Sequence, residues 1–318
     1  MWWIEAEDLI GHSGKKVPVI LDTDIGGDID DTWALAMMLK SPELDVRLVV
    51  TDTGNTTFRA KIAAKMLEAA GRTDIPIGIG IHLDDAVDRQ APWVKGYDLA
   101  NYRGTVHPDG VATIIDTIMD SPEPITLVCI GPVPNIAAAL EREPRIADRA
   151  RFVGMHGCLR KSPPKYGDGG GGVVAEYNVR AYPKACQKVF AADWEMTITP
   201  LDTCGFVRLE GEKYMAVREC NDPLVRALME NYRIWLQSWH REWKEAFESR
   251  SSTLFDTVAV YLAFSRELLL MEELGVRVTD EGYTVIDEGA RRVNCATEWK
   301  NLSAFESLLV ERLTGIRI

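Results

Sequence analysis

Residues 20–31 read Ile-Leu-Asp-Thr-Asp-Ile-Gly-Gly-Asp-Ile-Asp-Asp, and they are the most informative segment for the fold. It places five carboxylates within ten residues, between an apolar strand-like segment and an apolar helix-like segment. Because ionised carboxylates repel one another, such a cluster needs a counter-charge, and the usual one is a hard divalent cation bound through oxygen. We therefore predict a metal site where a strand ends and a helix begins. The alternative is a solvated acidic turn that caps the helix, for which one or two such residues suffice.

Charge and composition restrict the class of protein. The chain has 318 residues, a net charge of −12 and a pI near 5.0, which disfavours nucleic acid and anionic membranes as partners. Its six cysteines are scattered without metal-binding or disulfide-framework spacing, which is typical of buried thiols in a reducing compartment. The sequence shows no signal-peptide pattern and no apolar run of membrane-spanning length. We expect a cytoplasmic protein.

Outside the acidic stretch, apolar patterns of strand and helix alternate along the chain. The predicted strands are Val17–Leu21, Leu44–Thr51, Ile75–Ile81, Ile125–Ile130 and Arg151–Met155, and the predicted helices are Asp31–Lys40, Phe58–Ala70, Val111–Met119, Asn135–Arg142 and Ser303–Leu313. Strands that alternate with helices indicate a parallel sheet with right-handed crossovers. We predict a single α/β domain over residues 1–318, with an open, mostly parallel sheet flanked by helices and an N-terminal extension over 1–16.

Three further segments have their own patterns. Residues 161–172 are rich in Gly and Pro, which is typical of a loop. Between residues 231 and 247 three tryptophans recur at helical spacing, which predicts a helix that packs its indoles on the core. Residues 276–287 alternate like a β-hairpin.

Polar residues follow the predicted strands, at the edge where open parallel sheets bind ligands. They are Asn55, the turn Gly131-Pro132-Val133-Pro134-Asn135, Glu176, Asn178 and Asp256, together with the Ile130 carbonyl, which is able to bind a cation. Taken singly, each has an ordinary interpretation: Asn55, Asn135 and Asp256 as helix caps, and the other two as a solvated edge. For Asn135 alone the cap is the better interpretation. Their order along the chain favours a common site.

In this order the residues resemble the nucleoside hydrolase family, typified by inosine-uridine-preferring enzymes. The resemblance runs from about Val17 to the end and is carried by Asp-Thr-Asp-x-Gly with a following Asp-Asp, Thr-Gly-Asn at 53–55, Gly-Pro-x-x-Asn-Ile at 131–136, Ala-Glu-Tyr-Asn at 175–178 and Asp256. It implies an open α/β sheet with a deep site at the strand ends that holds one Ca²⁺. It also implies hydrolysis of the N-glycosidic bond of a small nucleoside, and assembly as a homodimer or homotetramer.

The resemblance implies a role for each matching residue. Asp24 would be both a Ca²⁺ ligand and the general base toward the attacking water. Asp31, Asp256 and the Ile130 carbonyl would complete the metal ligands, although the family usually has Thr at the Ile130 position. The ribose contacts would come from Asp30, Asn55, Met155, Glu176 and Asn178. Carboxylates around the sugar suit this chemistry, because N-riboside cleavage passes through a positively charged, oxocarbenium-like state.

The chain departs from the family pattern at three places. The acidic stretch is two residues longer than the usual Asp-x-Gly-x-Asp-Asp, so Asp28 and Asp30 are alternatives for the sugar contact. We favour Asp30 because it directly precedes the helix. Gly170 replaces an Asn that contacts the 5′-hydroxyl in the family. Phe255 replaces the His that helps to protonate the departing purine in many members.

The proton for the leaving base must then come from another residue. We predict His156, because it follows a strand end beside Met155 and a donor with a pKa near neutrality suits general acid catalysis. The other candidates are His82, His107, Tyr166 and His240.

Phe255 also keeps two alternatives open. One is an N-riboside hydrolase for a non-standard aglycone such as nicotinamide, and the other is a non-catalytic protein that binds ribose or a nucleoside. A third alternative is a haloacid-dehalogenase-type phosphatase, since Asp22-x-Asp24-x-Gly matches its nucleophile motif. That reaction leaves Glu176 and Asp256 without a role.

Overall fold

The computed structural model describes residues 15–83, 88–164, 166 and 170–317, and within them ten strands form one sheet. The strands are β1 (Val17–Thr23), β2 (Leu44–Thr51), β3 (Ile77–Ile79), β4 (Val106–His107), β5 (Ile125–Cys129), β6 (Ala150–Met155), β7 (Met196–Thr199), β8 (Leu269–Val278), β9 (Thr284–Ile286) and β10 (Arg292–Trp299). Their order is β4-β3-β2-β1-β5-β6-β7-β10-β8-β9. Neighbouring strands are parallel except in the pairs β10–β8 and β8–β9, so β8 alone runs opposite to the other strands.

Twelve α-helices accompany the sheet in the same residues. They are α1 (Asp30–Lys40), α2 (Thr56–Ala69), α3 (Gly110–Met119), α4 (Pro134–Arg142), α5 (Tyr177–Ala181), α6 (Pro183–Ala191), α7 (Leu201–Cys204), α8 (Gly211–Arg218), α9 (Pro223–Trp239), α10 (Trp243–Ser249), α11 (Thr257–Leu262) and α12 (Leu302–Thr314). None of them is both long and apolar enough to cross a bilayer.

The central strand β1 shows why the sheet has helices on both faces. Successive side chains of a strand point to opposite faces. Val19 and Leu21 therefore enter one hydrophobic core with α1, α2, α9 and α12, while Ile20 enters the other core with α3, α4 and α6. A strand buried on both faces has a continuous apolar sequence, as this one has. The single α/β domain with a mostly parallel sheet is confirmed.

Several element boundaries differ from the predictions. Helix α2 begins at Thr56, two residues early, because the Asn55 side chain accepts a hydrogen bond from the Phe58 N–H and caps it. The third strand is shortened to Ile77–Ile79. The tryptophan-rich helix is broken at residues 240–242, with Trp235 buried and Trp239 50% exposed, so only part of that prediction is right.

The carboxyl-terminal region contains the predicted hairpin, formed by β8 and β9. The chain then returns as β10, which inserts between β7 and β8 and runs parallel to β7. In the loop predicted over 161–172, residue 165 and residues 167–169 lie outside the described part, as do residues 1–14 of the predicted extension.

Candidate active site

The site lies where β2, β1, β5 and β6 end side by side. Three carboxylates form its centre: oxygen atoms of Asp30, Asp31 and Asp256 all lie within 4.8 Å of one another, and all three residues are buried. The first two open α1, where the helix dipole favours negative charge. Asp256 precedes α11, but its side chain makes no capping hydrogen bond, so the helix-cap interpretation does not hold for it.

Asp24 joins this centre from the end of β1. Besides burial, its charge raises the pKa of Asp31, and its carboxylate lies 4.0 Å from a guanidinium nitrogen of Arg59. Gly131, in the turn after β5, lies so close that a Cβ there would come within 3.0 Å of the Asp24 side chain. A residue larger than glycine in the turn after β5 would therefore press against Asp24, so glycine suits this position.

The electrostatics of the centre favour a bound cation. Burial raises the pKa of Asp30, Asp31 and Asp256 well above the usual carboxyl range, and like-charged neighbours raise it further. Burial also raises the pKa of Asp24, while the charge of Arg59 opposes this shift. Clustered carboxylates with the Ile130 carbonyl oxygen nearby form the kind of donor set that hard divalent cations use. These residues fit an oxygen-ligated metal ion.

Asn178 connects the predicted metal and sugar ligands. Its Nδ2 donates to the backbone oxygen of Ile130 at 2.9 Å and to that of Met155 at 3.0 Å. The ends of β5 and β6 are thereby tied to α5. Because both contacts use the amide nitrogen, the Oδ1 atom of Asn178 is left to accept a hydrogen bond from a ligand.

Glu176 is buried and caps α5, so the solvated-edge interpretation is wrong. Its carboxylate accepts backbone hydrogen bonds from Gly157 at 3.0 Å, Asn178 at 2.7 Å and Val179 at 3.3 Å. Burial raises the pKa of Glu176 to about 7, although these three hydrogen bonds oppose the shift. The side chain is therefore held rigidly and is close to titrating at neutral pH.

Asn135 does not cap its helix, contrary to its interpretation as a single residue. Its Nδ2 donates to Asp22 at 2.8 Å and to the Thr51 carbonyl at 3.0 Å, and its Oδ1 accepts from the Ile81 N–H at 2.9 Å. It therefore fastens the ends of three strands beneath the site.

His156 lies in a position that does not suit the predicted proton donor. Its ring is fully buried and packs against Phe152 and Phe190, in the core on one face of the sheet. Neither ring nitrogen makes a hydrogen bond of normal geometry in the described structure, and a weak contact with the Gly131 backbone only partly offsets the burial. Burial lowers the pKa of His156 to about 3, so the ring is neutral at physiological pH.

The remaining donor candidates are dispersed. His107 is on the short strand β4, and His240 follows α9 with its ring 5.4 Å from that of Trp239. The Tyr166 ring packs on Phe255, with 5.8 Å between centroids, and its hydroxyl accepts a hydrogen bond from the Tyr177 N–H at 3.3 Å.

Several residues that shape the site were not predicted from the sequence. Arg59 is a charged residue on the buried side of α2. A charged residue at an apolar position of a helix is the sequence signal that indicates such a group. Asp52 is fully buried at the end of β2, and neither carboxylate oxygen has a hydrogen-bond partner in the described structure. Gln90 is also fully buried and donates through Nε2 to the Asp28 carbonyl at 2.7 Å.

Asp28 and Asp30 occupy different environments. Asp30 is buried in the carboxylate centre, whereas the Asp28 side chain is exposed on the loop before α1, although its charge is close enough to add to the rise that burial causes in the pKa of Asp30. Two side chains from other segments hold that loop. The Trp235 indole donates to the Gly27 carbonyl at 3.1 Å, and Gln90 donates to the Asp28 carbonyl. The placement favours Asp30 as the residue that belongs to the centre.

A model of the inosine-uridine preferring nucleoside hydrolase family matches residues 19–312. The chain belongs to this family. The enzyme is 27% identical over 305 residues to the probable uridine nucleosidase 2 of Arabidopsis thaliana, with 91% of each chain covered. It is 31% identical over 230 residues to the non-specific ribonucleoside hydrolase RihC of Klebsiella pneumoniae, covering 69% of this chain and 73% of that one.

The fold has a counterpart among solved nucleoside hydrolases. The plant nucleoside hydrolase PpNRh1 superposes with a TM-score of 0.79 at 24% identity, over 94% of this chain and 99% of that chain. As a family member, this protein is a hydrolase that acts on N-glycosyl compounds and takes a small nucleoside as substrate.

Proposed function

We propose that the enzyme hydrolyses the N-glycosidic bond of a ribonucleoside in a Ca²⁺-dependent reaction that yields ribose and the free base. The observation that carries the proposal is the buried triad of Asp30, Asp31 and Asp256 beside Asp24, at the strand ends of a nucleoside hydrolase. With Glu176, whose pKa burial and the charge of Asp24 raise, there are five acidic side chains, and their negative charge suits a positively charged sugar.

Asp24, Asp31, Asp256 and the Ile130 carbonyl would hold the Ca²⁺ ion. Bound there, it would supply Lewis acidity and the positive charge that the buried carboxylates need. All four ligands would be oxygens. Ca²⁺ prefers this donor type, whereas softer metals prefer nitrogen or sulfur. The proposal is supported by the raised pKa values of the three carboxyls, which burial and mutual repulsion cause.

The ribose would be held by Asp30, Asn55, Met155, Glu176 and Asn178. Carboxylates and amide oxygens accept hydrogen bonds from the sugar hydroxyls. In the reaction the C1′–N bond breaks and its electron pair leaves with the base. A water oxygen bonds to C1′, and Asp24 accepts the proton of that water as general base. Acceptors on the sugar side stabilise the positive charge that develops on the ring.

We assign no step to His156. A ring whose pKa is about 3 carries no proton to donate at neutral pH, and its nitrogens lie among aromatic side chains. The proton for the departing base therefore has to come from a group other than His156.

The experiment is release of free base from a panel of ribonucleosides by the purified enzyme, with and without a Ca²⁺ chelator. Asp24→Ala is the matched variant. We expect hydrolysis that the chelator abolishes, that Ca²⁺ restores and that the variant lacks. Turnover that persists in chelator would contradict the Ca²⁺ requirement, and no release from any nucleoside would contradict the reaction.

We also propose a homodimer or homotetramer in the cytoplasm. Leu270, Tyr283 and Ile286 are exposed apolar residues on the β8–β9 hairpin at one edge of the sheet, which supports an interface there. All six cysteines are unpaired, which suits a reducing compartment. Light scattering of the purified protein and fractionation of cells measure these two properties.

A further inference from the structure

Arg59 is a buried cation inside the acidic site. Its side chain is 1% exposed, and no other Lys or Arg side chain is buried in the described part of the chain. Charged side chains are almost never fully buried unless they have partners that compensate for lost hydration. The partners of this guanidinium therefore indicate what it does.

The guanidinium joins two loops that carry proposed site residues. Nη1 donates to the Ile25 carbonyl at 3.0 Å, directly after Asp24, and Nε donates to the Thr53 carbonyl at 2.8 Å. Thr53 has a φ of +50°, a left-handed conformation that β-branched residues rarely adopt. Asn55, a proposed ribose ligand, follows two residues later. One planar side chain thus holds both loops in place.

The same group brings positive charge to the carboxylates. Its Nη2 lies 4.0 Å from Oδ2 of Asp24. It also opposes the rise in the pKa of Asp31 and Asp52 that burial causes. A fixed positive charge here repels a bound cation, so metal binding alone gives no reason for an arginine at this position.

We propose that Arg59 is a positioning residue, which aligns Asp24 and the loop that carries Asn55 for catalysis at the expense of Ca²⁺ affinity. The inference rests on the proposed function. It makes a prediction of unusual sign: removal of the charge should tighten Ca²⁺ binding while it slows turnover. A residue that only supports the fold would weaken both together.

Two variants separate the charge from the bridging geometry. Arg59→Gln removes the charge, and we expect Ca²⁺ to bind about tenfold tighter or more in calorimetric titration, because a repulsive charge is gone. Its kcat should fall about 10- to 100-fold, since the base is no longer aligned. Arg59→Lys keeps the charge but cannot bridge two carbonyls, so its Ca²⁺ affinity should stay within about threefold while kcat falls.

Arg151 provides a matched control. It is a half-buried arginine at the amino end of β6, and it donates to the Thr126 hydroxyl and the Ala263 carbonyl, both at 2.8 Å. Arg151→Gln should change stability alone, and leave Ca²⁺ affinity and kcat close to the wild-type values.

Parallel weakening of Ca²⁺ binding and stability in Arg59→Gln overturns the proposal, as does an unchanged kcat in Arg59→Lys. The lysine variant keeps the test decisive if the glutamine variant does not fold. The Ca²⁺ titration does not require turnover. A wild-type protein that binds Ca²⁺ without hydrolysing nucleosides contradicts the proposed function, and the titration still tests the effect of Arg59 on Ca²⁺ affinity. A wild-type protein that turns over without binding Ca²⁺ contradicts the proposed cofactor, and the kcat of Arg59→Lys then decides the role of Arg59.

Discussion

The proposed sugar side of the site and its outer side are built in different ways. On the sugar side, Asp30, Glu176 and Asn178 are buried at helix starts, with partners from neighbouring strands or loops. On the outer side, Asp28 and Trp239 are exposed side chains on a loop and a helix end. Ordered ends of strands and helices hold a side chain more precisely than an exposed loop does.

This difference indicates which part of the site determines the substrate specificity of the enzyme. Every ribonucleoside presents the same sugar, so the machinery that acts on it can be rigid and buried. The base varies, and we propose that it is contacted by exposed loop side chains, which a few substitutions alter without disturbing the core. We therefore expect changes on the sugar side to affect every substrate, and changes on the outer side to have small or substrate-dependent effects.

Calcium removal should have the largest effect. At a free Ca²⁺ concentration of a thousand times Kd, binding should add about 4 kcal/mol to the free energy of unfolding. Asp256→Asn should lose most of this gain because a buried ligand is gone, whereas Asp28→Asn should retain it. Denaturant titrations with and without chelator measure the difference. An equal loss in both variants would contradict the separation of the two sides.

The next largest contrast is expected between Asp30→Asn and Asp28→Asn, the same substitution at positions two residues apart. Asp30→Asn should lower kcat/KM about 10²- to 10³-fold for all ribonucleosides, as removal of a preorganised electrostatic contact does. Asp28→Asn should stay within about twofold, the usual effect of a surface substitution. Steady-state kinetics on several nucleosides measures both, and Asp98→Asn controls for loss of charge at an exposed aspartate that also accepts a backbone hydrogen bond. A larger loss for Asp28→Asn would assign the sugar contact to that residue.

The place of the carboxylate centre could be predicted because the evidence for it is local. The apolar run of β1 followed directly by carboxylates predicts both a buried strand and a site at its end, and the structure has Asp24 and Asp31 where this pattern requires. Parallel strands end at one edge, so residues after β5 and β6 had to meet them.

The parts that could not be predicted depend on long-range partners. Asn135 was assigned to a cap because its true partners, Asp22 and Thr51, are 113 and 84 residues away along the chain. For His156 the sequence indicates the end of a strand but not the direction of the side chain beyond it, and the ring turns into the opposite core from Met155. Neither arrangement has a local signature.

Glu176 should give the sugar side a pH-dependent stability. Its pKa is raised from 4.5 to about 7 by burial, so between these values the folded protein keeps a proton that the unfolded chain has released. Its contribution to stability is therefore complete below pH 4.5 and is lost as the pH rises to 7, by at most about 3 kcal/mol. In Glu176→Gln this slope should disappear.

The measurement is the free energy of unfolding in chelator at several pH values from 4.5 to 8, in the wild type and in Glu176→Gln. Other buried acids, such as Asp22 with a pKa raised to about 7 by burial, contribute slopes of the same sign to both proteins. The difference between the two curves therefore isolates Glu176. Parallel curves would show that its carboxyl does not keep its proton on folding.

Tyr166 on the outer side should show the smallest effect. Its hydroxyl accepts the Tyr177 N–H, and burial raises its pKa above the ordinary value for tyrosine, so it is a weak acid beside Phe255. Tyr166→Phe should change kcat/KM by no more than about twofold. Tyr261→Phe is the matched control, because that hydroxyl also accepts a backbone N–H, from Leu268. If Tyr166→Phe alone slowed hydrolysis of nucleosides whose base must be protonated, the missing proton donor would be this tyrosine, and the outer side would carry catalysis as well as specificity.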